Sequence, residues 1–229
     1  MKLDMLDLAV VIPVYNEEKN IIKLLNDWDK TIRRNYKKKY KLILINDGST
    51  DGTDKAIRSF KKRNLIYIVQ KNAGHGNACL TGYKLAIKLK FKMILQIDSD
   101  NQCDPNYFKS FLKLSRHNKI IFGYRISRED GLIRLIFSRI LSTLIFIKTF
   151  VFIRDANVPY RLIDNMTLSK VINKIPKEVM LKNVYLSYLL KKDYKIKWIN
   201  INFKDRYYGQ STLGIKNLIK HLLNLMYYI

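Results

Sequence analysis

Ile94-Leu95-Gln96-Ile97-Asp98-Ser99-Asp100-Asn101-Gln102 is an apolar, strand-like run that ends abruptly in two carboxylates one residue apart. A short, nearly all-apolar run of this kind suits a strand covered on both faces of a parallel sheet. Asp98 and Asp100 then fall in the loop at its carboxyl end. Hard carboxylate oxygens suit Mg²⁺ or Mn²⁺, which take one or two acidic side chains and complete their shell with water and substrate phosphate. The chemistry expected is metal-assisted handling of a diphosphate. Taken alone, the pair is a weak signal and reads more readily as a solvated acidic turn.

The same architecture repeats upstream. Strand signals at Leu8 to Ile12, Leu42 to Ile45, Leu65 to Val69 and Lys92 to Ile97 alternate with helical periods at about Asn20 to Tyr36, Asp51 to Lys62 and Gly76 to Lys88. A helix after Pro105 and a strand at Ile120 to Gly123 follow. This is the rhythm of βαβ units, and it predicts an α/β fold with a mostly parallel sheet flanked by helices. Ligands of such sheets bind beyond the carboxyl ends of the strands. Those ends carry Tyr15-Asn16-Glu17, Asn46-Asp47-Gly48-Ser49 and Asp98-Ser99-Asp100, so three polar loops are expected to converge on one edge.

After Gly123 the rhythm stops. Leu132 to Ile153 is apolar with polar residues at approximate i, i+4 intervals, among them Arg134, Ser138, Arg139, Ser142 and Lys148. It reads as one or two amphipathic helices, either buried in the core or lying in a membrane interface with their cations at headgroup level. Leu213 to Ile229 is similar and is expected to pack on the domain or on lipid.

Lys and Arg outnumber Asp and Glu by 43 to 19, a net charge of +24, in a chain of 229 residues that is 48% hydrophobic. That composition excludes a disordered polyelectrolyte and calls for an anionic partner, with an anionic membrane surface or a phosphorylated substrate as candidates. Nucleic acid is not expected: the Lys-rich Arg33 to Lys41 and Lys61 to Arg63 segments read as solvated helix ends. Two cysteines, Cys79 and Cys103, build no disulfide framework and fit a reducing compartment, so a cytoplasmic location is expected. Met1 to Val14 carries Asp4 and Asp7 and does not read as a signal peptide. No run of about 20 residues is free of charge, so no spanning helix is indicated.

Taken together, Val10-Val11-Ile12-Pro13-Val14-Tyr15-Asn16-Glu17-Glu18, Asn46-Asp47-Gly48-Ser49-Thr50-Asp51-Gly52-Thr53, the Gly74-His75-Gly76-Asn77 turn and Asp98-Ser99-Asp100-Asn101-Gln102 resemble the family 2 glycosyltransferases of the GT-A fold. The likeness covers roughly the first 125 residues, and the Asp155-to-Arg161 and Arg206-to-Ser211 segments extend it. Within the family the chain is most similar to polyprenyl-phosphate and dolichyl-phosphate sugar transferases. The resemblance implies a GT-A domain over residues 1–212, with a nucleotide-sugar-binding half at 1–125 and an acceptor-side half with interfacial helices at 126–212. A C-terminal helix spans 213–229.

It also implies roles. Pro13 ends the first strand and Tyr15 can lie against a nucleobase. Glu17 either reaches the ribose or base or is a carboxylate favoured at a helix N-terminus. Asp47 matches a base-binding aspartate, with a local turn role as the alternative. Gly74 lets backbone approach a ligand, and His75 or Lys71 contacts the diphosphate or stands in solvent. Asp100 holds the Mg²⁺ or Mn²⁺ ion, with Asp98 on the ribose or in the coordination, Gln102 completing the polar site, and Ser99 between the carboxylates pointing away.

On the acceptor side, Arg125, Arg128, Arg134 and Arg139 are candidates for a lipid phosphate, which guanidinium forks bind in bidentate fashion, and Arg161 is a further acceptor-side candidate. Asp155 either lines the acceptor site or pairs with Arg161. Arg206, in Arg206-Tyr207-Tyr208-Gly209-Gln210-Ser211, is expected to close over the donor diphosphate, with an ordinary turn as the alternative. Family members that glycosylate hydroxyls often carry an acidic pair near Leu181, where this chain has Leu181-Lys182-Asn183-Val184. A hydroxyl needs a general base whereas a phosphate monoester oxygen is already ionised, so the missing acid leans toward a polyprenyl phosphate, unless Asp155 or Glu178 supplies the base. The expected enzyme inverts the sugar of a UDP- or GDP-linked donor at the cytoplasmic membrane face. A hydroxyl of a surface glycan is the alternative acceptor, and a basic nucleic-acid-binding protein is the minor alternative class.

Overall fold

The structure, a computed structural model, describes residues 7–128, 132–203 and 215–229. The chain begins with β1 (Leu8–Val14), every residue of which is buried. Helix α1 (Ile21–Asn35) follows, burying Ile21, Leu24, Leu25, Trp28 and Ile32 at three- and four-residue spacing against the sheet. The indole of Trp28 meets Tyr160 edge-on, with ring centroids 5.6 Å apart. Then come β2 (Tyr40–Asn46), α2 (Thr53–Ser59), β3 (Leu65–Val69), α3 (His75–Lys88) and β4 (Met93–Ile97). Each fully buried aliphatic side chain of these strands contributes roughly 1.5–3 kcal/mol.

The second half contains α4 (Phe108–Ser115), β5 (Ile120–Arg128), α5 (Leu132–Thr149), β6 (Tyr160–Asp164), α6 (Asn165–Ile172), α7 (Lys182–Asp193), β7 (Lys197–Phe203) and α8 (Ile215–Tyr228). The seven strands form one sheet in the order β3-β2-β1-β4-β6-β5-β7. β1 pairs in parallel with β2 and β4, β2 with β3, and β5 with β7, whereas β6 runs antiparallel to both β4 and β5. Reversing β6 alone leaves the carboxyl ends of the other strands on one edge. It also brings residues 155–159, just before β6, to that edge, with Tyr160 opposite Ile97.

The expected α/β architecture and its mostly parallel sheet are thus present. β6 and β7 were not anticipated, and β5 extends to Arg128 rather than ending at Gly123. Within Leu132 to Ile153 the helix stops at Thr149, where Phe150 takes a left-handed φ of +57°. From Ser138 onward, α5 buries Leu141, Ser142 and Ile145 and exposes Ile140, Phe146 and Ile147, so this part of the helix is amphipathic and half covered. Among the described residues, no helix is long and apolar enough to cross a membrane.

Candidate active site

The loops after β1 and β2 are laced together. The backbone N–H of Asn16 donates to Ser49 Oγ (3.0 Å), that of Glu17 to Thr53 Oγ1 (2.8 Å) and that of Thr50 to Asn16 Oδ1 (2.8 Å). Asn16 itself sits at φ +55°, turning the chain sharply off the strand. Pro13 is buried opposite Ile45, and Tyr15 emerges 39% exposed, its ring available for stacking. Glu17 is half-buried and accepts a bond from Asn20 Nδ2 (2.7 Å), so one oxygen is held at the start of α1.

Asp47 is a buried residue, 2% exposed, whose carboxylate is held by the next loop: Oδ1 accepts from Gln70 Nε2 (2.7 Å) and Ala73 N (3.0 Å), and Oδ2 from Gly74 N (2.8 Å). It organises the β3–α3 loop. Gly48, beside it, has φ +73°, and a Cβ there would lie 2.8 Å from Asn72 N, so only glycine lets the two loops approach this closely. Gly74, at φ +87°, faces open space ahead of the α3 N-terminus.

At the carboxyl end of β4, Asp98 Oδ1 lies 2.9 Å from both His75 Nε2 and Gln96 Nε2. Burial opposes ionisation of Asp98, but the charges of His75, Arg161 and Arg125 outweigh it and hold the carboxyl below its ordinary range. Burial likewise opposes the imidazolium of His75, yet the Cys79 sulfur and the Asp98 carboxylate overcome it and raise its pKa well above the usual value. The side chain of His75 remains about half exposed, so it stands at the mouth of the site. Ser99, Asp100 and Gln102 are all buried, and Asn101 takes a left-handed φ of +60° that folds the turn back on itself. Gln102 N donates to Asp100 Oδ1 at 3.2 Å.

The chemistry of this turn fits a divalent cation of the Mg²⁺ or Mn²⁺ type. Two carboxylates and an amide oxygen are hard donors. Among the described residues, no three His, Cys, Asp or Glu side chains gather at one point, so an ion here would draw its remaining ligands from donor phosphate and water.

The acceptor side departs further from expectation. Asp155 pairs not with Arg161 but with Arg125, in a buried bidentate bridge: Nε to Oδ2 at 2.6 Å and Nη2 to Oδ1 at 2.7 Å. The Arg125 guanidinium also covers the Phe203 ring at 5.2 Å. Arg161 is wholly buried, donating to the carbonyls of Val158 (2.7 Å), Asn183 (3.0 Å) and Ala156 (3.1 Å), which ties β6 to the start of α7. Arg139 is exposed on α5. Arg128 and Arg134 lie on β5 and α5, but their side chains, like Arg206 and its whole loop, are outside the described residues.

Three organising residues were not foreseen: Gln70, Gln96 and Lys182. A lone glutamine in the apolar run of β4 was the available signal for Gln96. Lys182 is buried, its ammonium donating to Val179 O (2.7 Å) and its stem packed where a Cβ on Gly76 would meet it at 3.1 Å. Nothing in its sequence context announced that lock.

With the geometry in view, likeness to known proteins is informative. The family model described as Glycosyl transferase family 2 matches residues 9–187. The chain belongs to that family. An uncharacterised protein of Methanocaldococcus jannaschii is 34% identical over 169 residues, 68% of this chain and 71% of that one. The undecaprenyl-phosphate 4-deoxy-4-formamido-L-arabinose transferase of Edwardsiella ictaluri is 25% identical over 228 residues, 96% of this chain; this chain spans less than two thirds, 65%, of that relative's length. Among solved structures, glucosyl-3-phosphoglycerate synthase from Mycobacterium tuberculosis, in complex with Mn²⁺, uridine diphosphate and phosphoglyceric acid, superimposes with a TM-score of 0.71 at 14% identity, covering 97% of this chain and 78% of that one. At that identity the match speaks for the shared fold.

Proposed function

We propose that this family 2 glycosyltransferase transfers a sugar, with inversion, from a UDP- or GDP-linked donor to a polyprenyl phosphate at the cytoplasmic face of a membrane. The observation that carries the acceptor class is the Arg125–Asp155 bridge. Asp155, a residue placed to act as base, has both oxygens bound by a buried guanidinium. At the α7 N-terminus, Lys182 and Asn183 occupy the stretch where an acid would stand. An acceptor oxygen that arrives ionised needs no base. In the proposed step a phosphate oxygen of the lipid attacks the anomeric carbon. The bond from that carbon to the diphosphate breaks, and the nucleoside diphosphate leaves with the electron pair.

Tyr15 and Glu17 serve the nucleoside, and the backbone at Gly74 and the α3 N-terminus faces the diphosphate. Asp98 and Asp100, with Gln102, would hold a Mg²⁺ or Mn²⁺ ion, whose chemistry is neutralisation of the leaving diphosphate. His75 orients Asp98 through the 2.9 Å contact. Arg206 is proposed to close over the donor, and Arg128, Arg134 and Arg139 to receive the lipid phosphate.

The test is nucleotide release by purified protein with Mg²⁺ or Mn²⁺, screening UDP- and GDP-sugars with and without undecaprenyl phosphate, beside Asp100→Ala. Release that requires the lipid and disappears in the variant is expected. Release that ignores the lipid but rises with a soluble glycan would replace the acceptor by a hydroxyl.

A further inference from the structure

We infer that the exposed apolar surface formed by the end of α5, the Phe150–Phe152 turn and α8 docks on an anionic lipid bilayer. This rests on the lipid-acceptor reading above and names the surface that would deliver it. α8 exposes Ile219, Leu223 and Tyr227 at i, i+4 and i+8, with exposures of 52, 66 and 80%, while Leu225 on the other side is buried. Beyond the end of α5, Phe150 is 84% exposed and Phe152 57%, and both rings stand edge-on to exposed Phe146 at 6.3 and 6.2 Å. The two stripes adjoin, because the Lys148 ammonium of α5 donates to the carbonyl of Met226 in α8. Singly scattered apolar residues are ordinary on a surface, but a joined patch rich in phenylalanine marks an interaction site.

Charge selects the occupant. Residues 132–154 include four cations and no acid, and Ile215–Tyr228 carries Lys216 and Lys220 and no acid. Apolar rings on two segments whose charged residues are all cations match an interface of acyl chains beneath anionic headgroups. A second copy of a chain with a net charge of +24 would instead present the same sign to this face. The surface is also tied to the site: the excursion runs from the end of β5 at Arg128 to the start of β6 at Tyr160, and the bidentate bridge from Arg125, near the end of β5, to Asp155, just ahead of β6, closes its base. The bilayer would therefore sit beside the edge that carries Asp98 and Asp100.

The experiment is flotation of the purified chain with phosphatidylcholine vesicles, with and without phosphatidylglycerol, for wild type and for Phe146→Ser/Phe150→Ser/Phe152→Ser. Binding to the anionic vesicles is expected, falling about tenfold or more in the triple variant. Turnover on a short, water-soluble prenyl phosphate should be unchanged. In parallel, Phe150→Trp should show a blue-shifted emission quenched by brominated lipid beyond the baseline of the native Trp28 and Trp198. Met166→Trp, exposed at the opposite edge of the sheet, should not.

Unchanged vesicle binding by the triple variant overturns the inference, as does a dimer in solution that the same variant dissolves. Wild-type turnover on the soluble acceptor without vesicle binding refutes the docking surface and leaves the transferase reading intact. Patch-dependent vesicle binding with no turnover on any acceptor does the reverse.

Discussion

Replacing Asp155 by alanine should be among the most costly single changes in this chain. The side chains of Arg125 and Asp155 are 7% and 5% exposed, and the bridge has two short bonds, so solvent cannot take over for the lost carboxylate. The guanidinium would keep its stacking on Phe203 but lose its bidentate carboxylate partner in a site with little access to water. Breaking one side of a buried ion pair costs about 3–5 kcal/mol, because a desolvated charge is left behind. For a chain of this size that corresponds to a fall in Tm of roughly 6–20 °C. Removing both charges is different: Arg125→Met/Asp155→Leu fills similar volume without a stranded ion and should recover most of the loss. Thermal and denaturant melts of the wild type, both single variants and the double variant form a complete cycle. Asp155→Ala melting within about 2 °C of wild type, or a double variant no more stable than the single, would refute the reasoning.

Asp29 sets the acid limit of the fold. Burial raises its pKa, but hydrogen bonds from Lys62, Tyr40, Arg33 and Asn64 outweigh that and bring it down to about 2. A folded pKa below the unfolded value means stability that is complete above about pH 4 and is lost as pH falls toward 2, on the order of 2 kcal/mol. Denaturant melts from pH 6 to pH 2 should therefore steepen in that window for wild type and flatten for Asp29→Asn, a curve shared by both being the contrary result. Gly48→Ala forces a φ of +73° on a side chain that meets Asn72 N at 2.8 Å, and should cost about 1–3 kcal/mol by melt while raising KM for the sugar nucleotide. His75→Ala removes the group that orients Asp98 at 2.9 Å, and Mn²⁺ titrations of turnover should show apparent metal affinity weakened by about 10–100-fold; an unchanged titration would separate His75 from the metal site.

The first half of the fold was legible because each strand there is short, apolar and closed by polar loop residues, a pattern that follows directly from burial on both faces. β6 hid because its second residue is Arg161, and an arginine inside a five-residue strand reads as surface. The structure reconciles the two by carrying the guanidinium to three carbonyls in its own vicinity, with the Phe122 ring 5.2 Å beneath it. β7, Lys197–Phe203, lies at the sheet edge with only Ile201 and Phe203 buried, too weak a signal to stand out beside the apolar runs.

The site was legible as a set of positions and less so as a set of roles. Residue types and spacing located Tyr15, Glu17, Asp47, His75, Asp98 and Asp100 on one edge, because strand-end loops must lie there once the sheet is parallel. They did not reveal which carboxylates face a ligand and which face the protein, since that depends on partners distant in sequence. Asp47 is claimed by Gln70, Ala73 and Gly74, and Asp155 by Arg125, thirty residues away. That division bears on mechanism. Two acidic side chains that a sequence assigns to substrate are engaged within the fold, Asp47 by the β3–α3 loop and Asp155 by Arg125, whereas the donor set of the Asp98–Asp100 turn fits a cation. An enzyme built this way would activate its leaving group rather than its nucleophile, and the acceptor it suits is one whose oxygen is already charged.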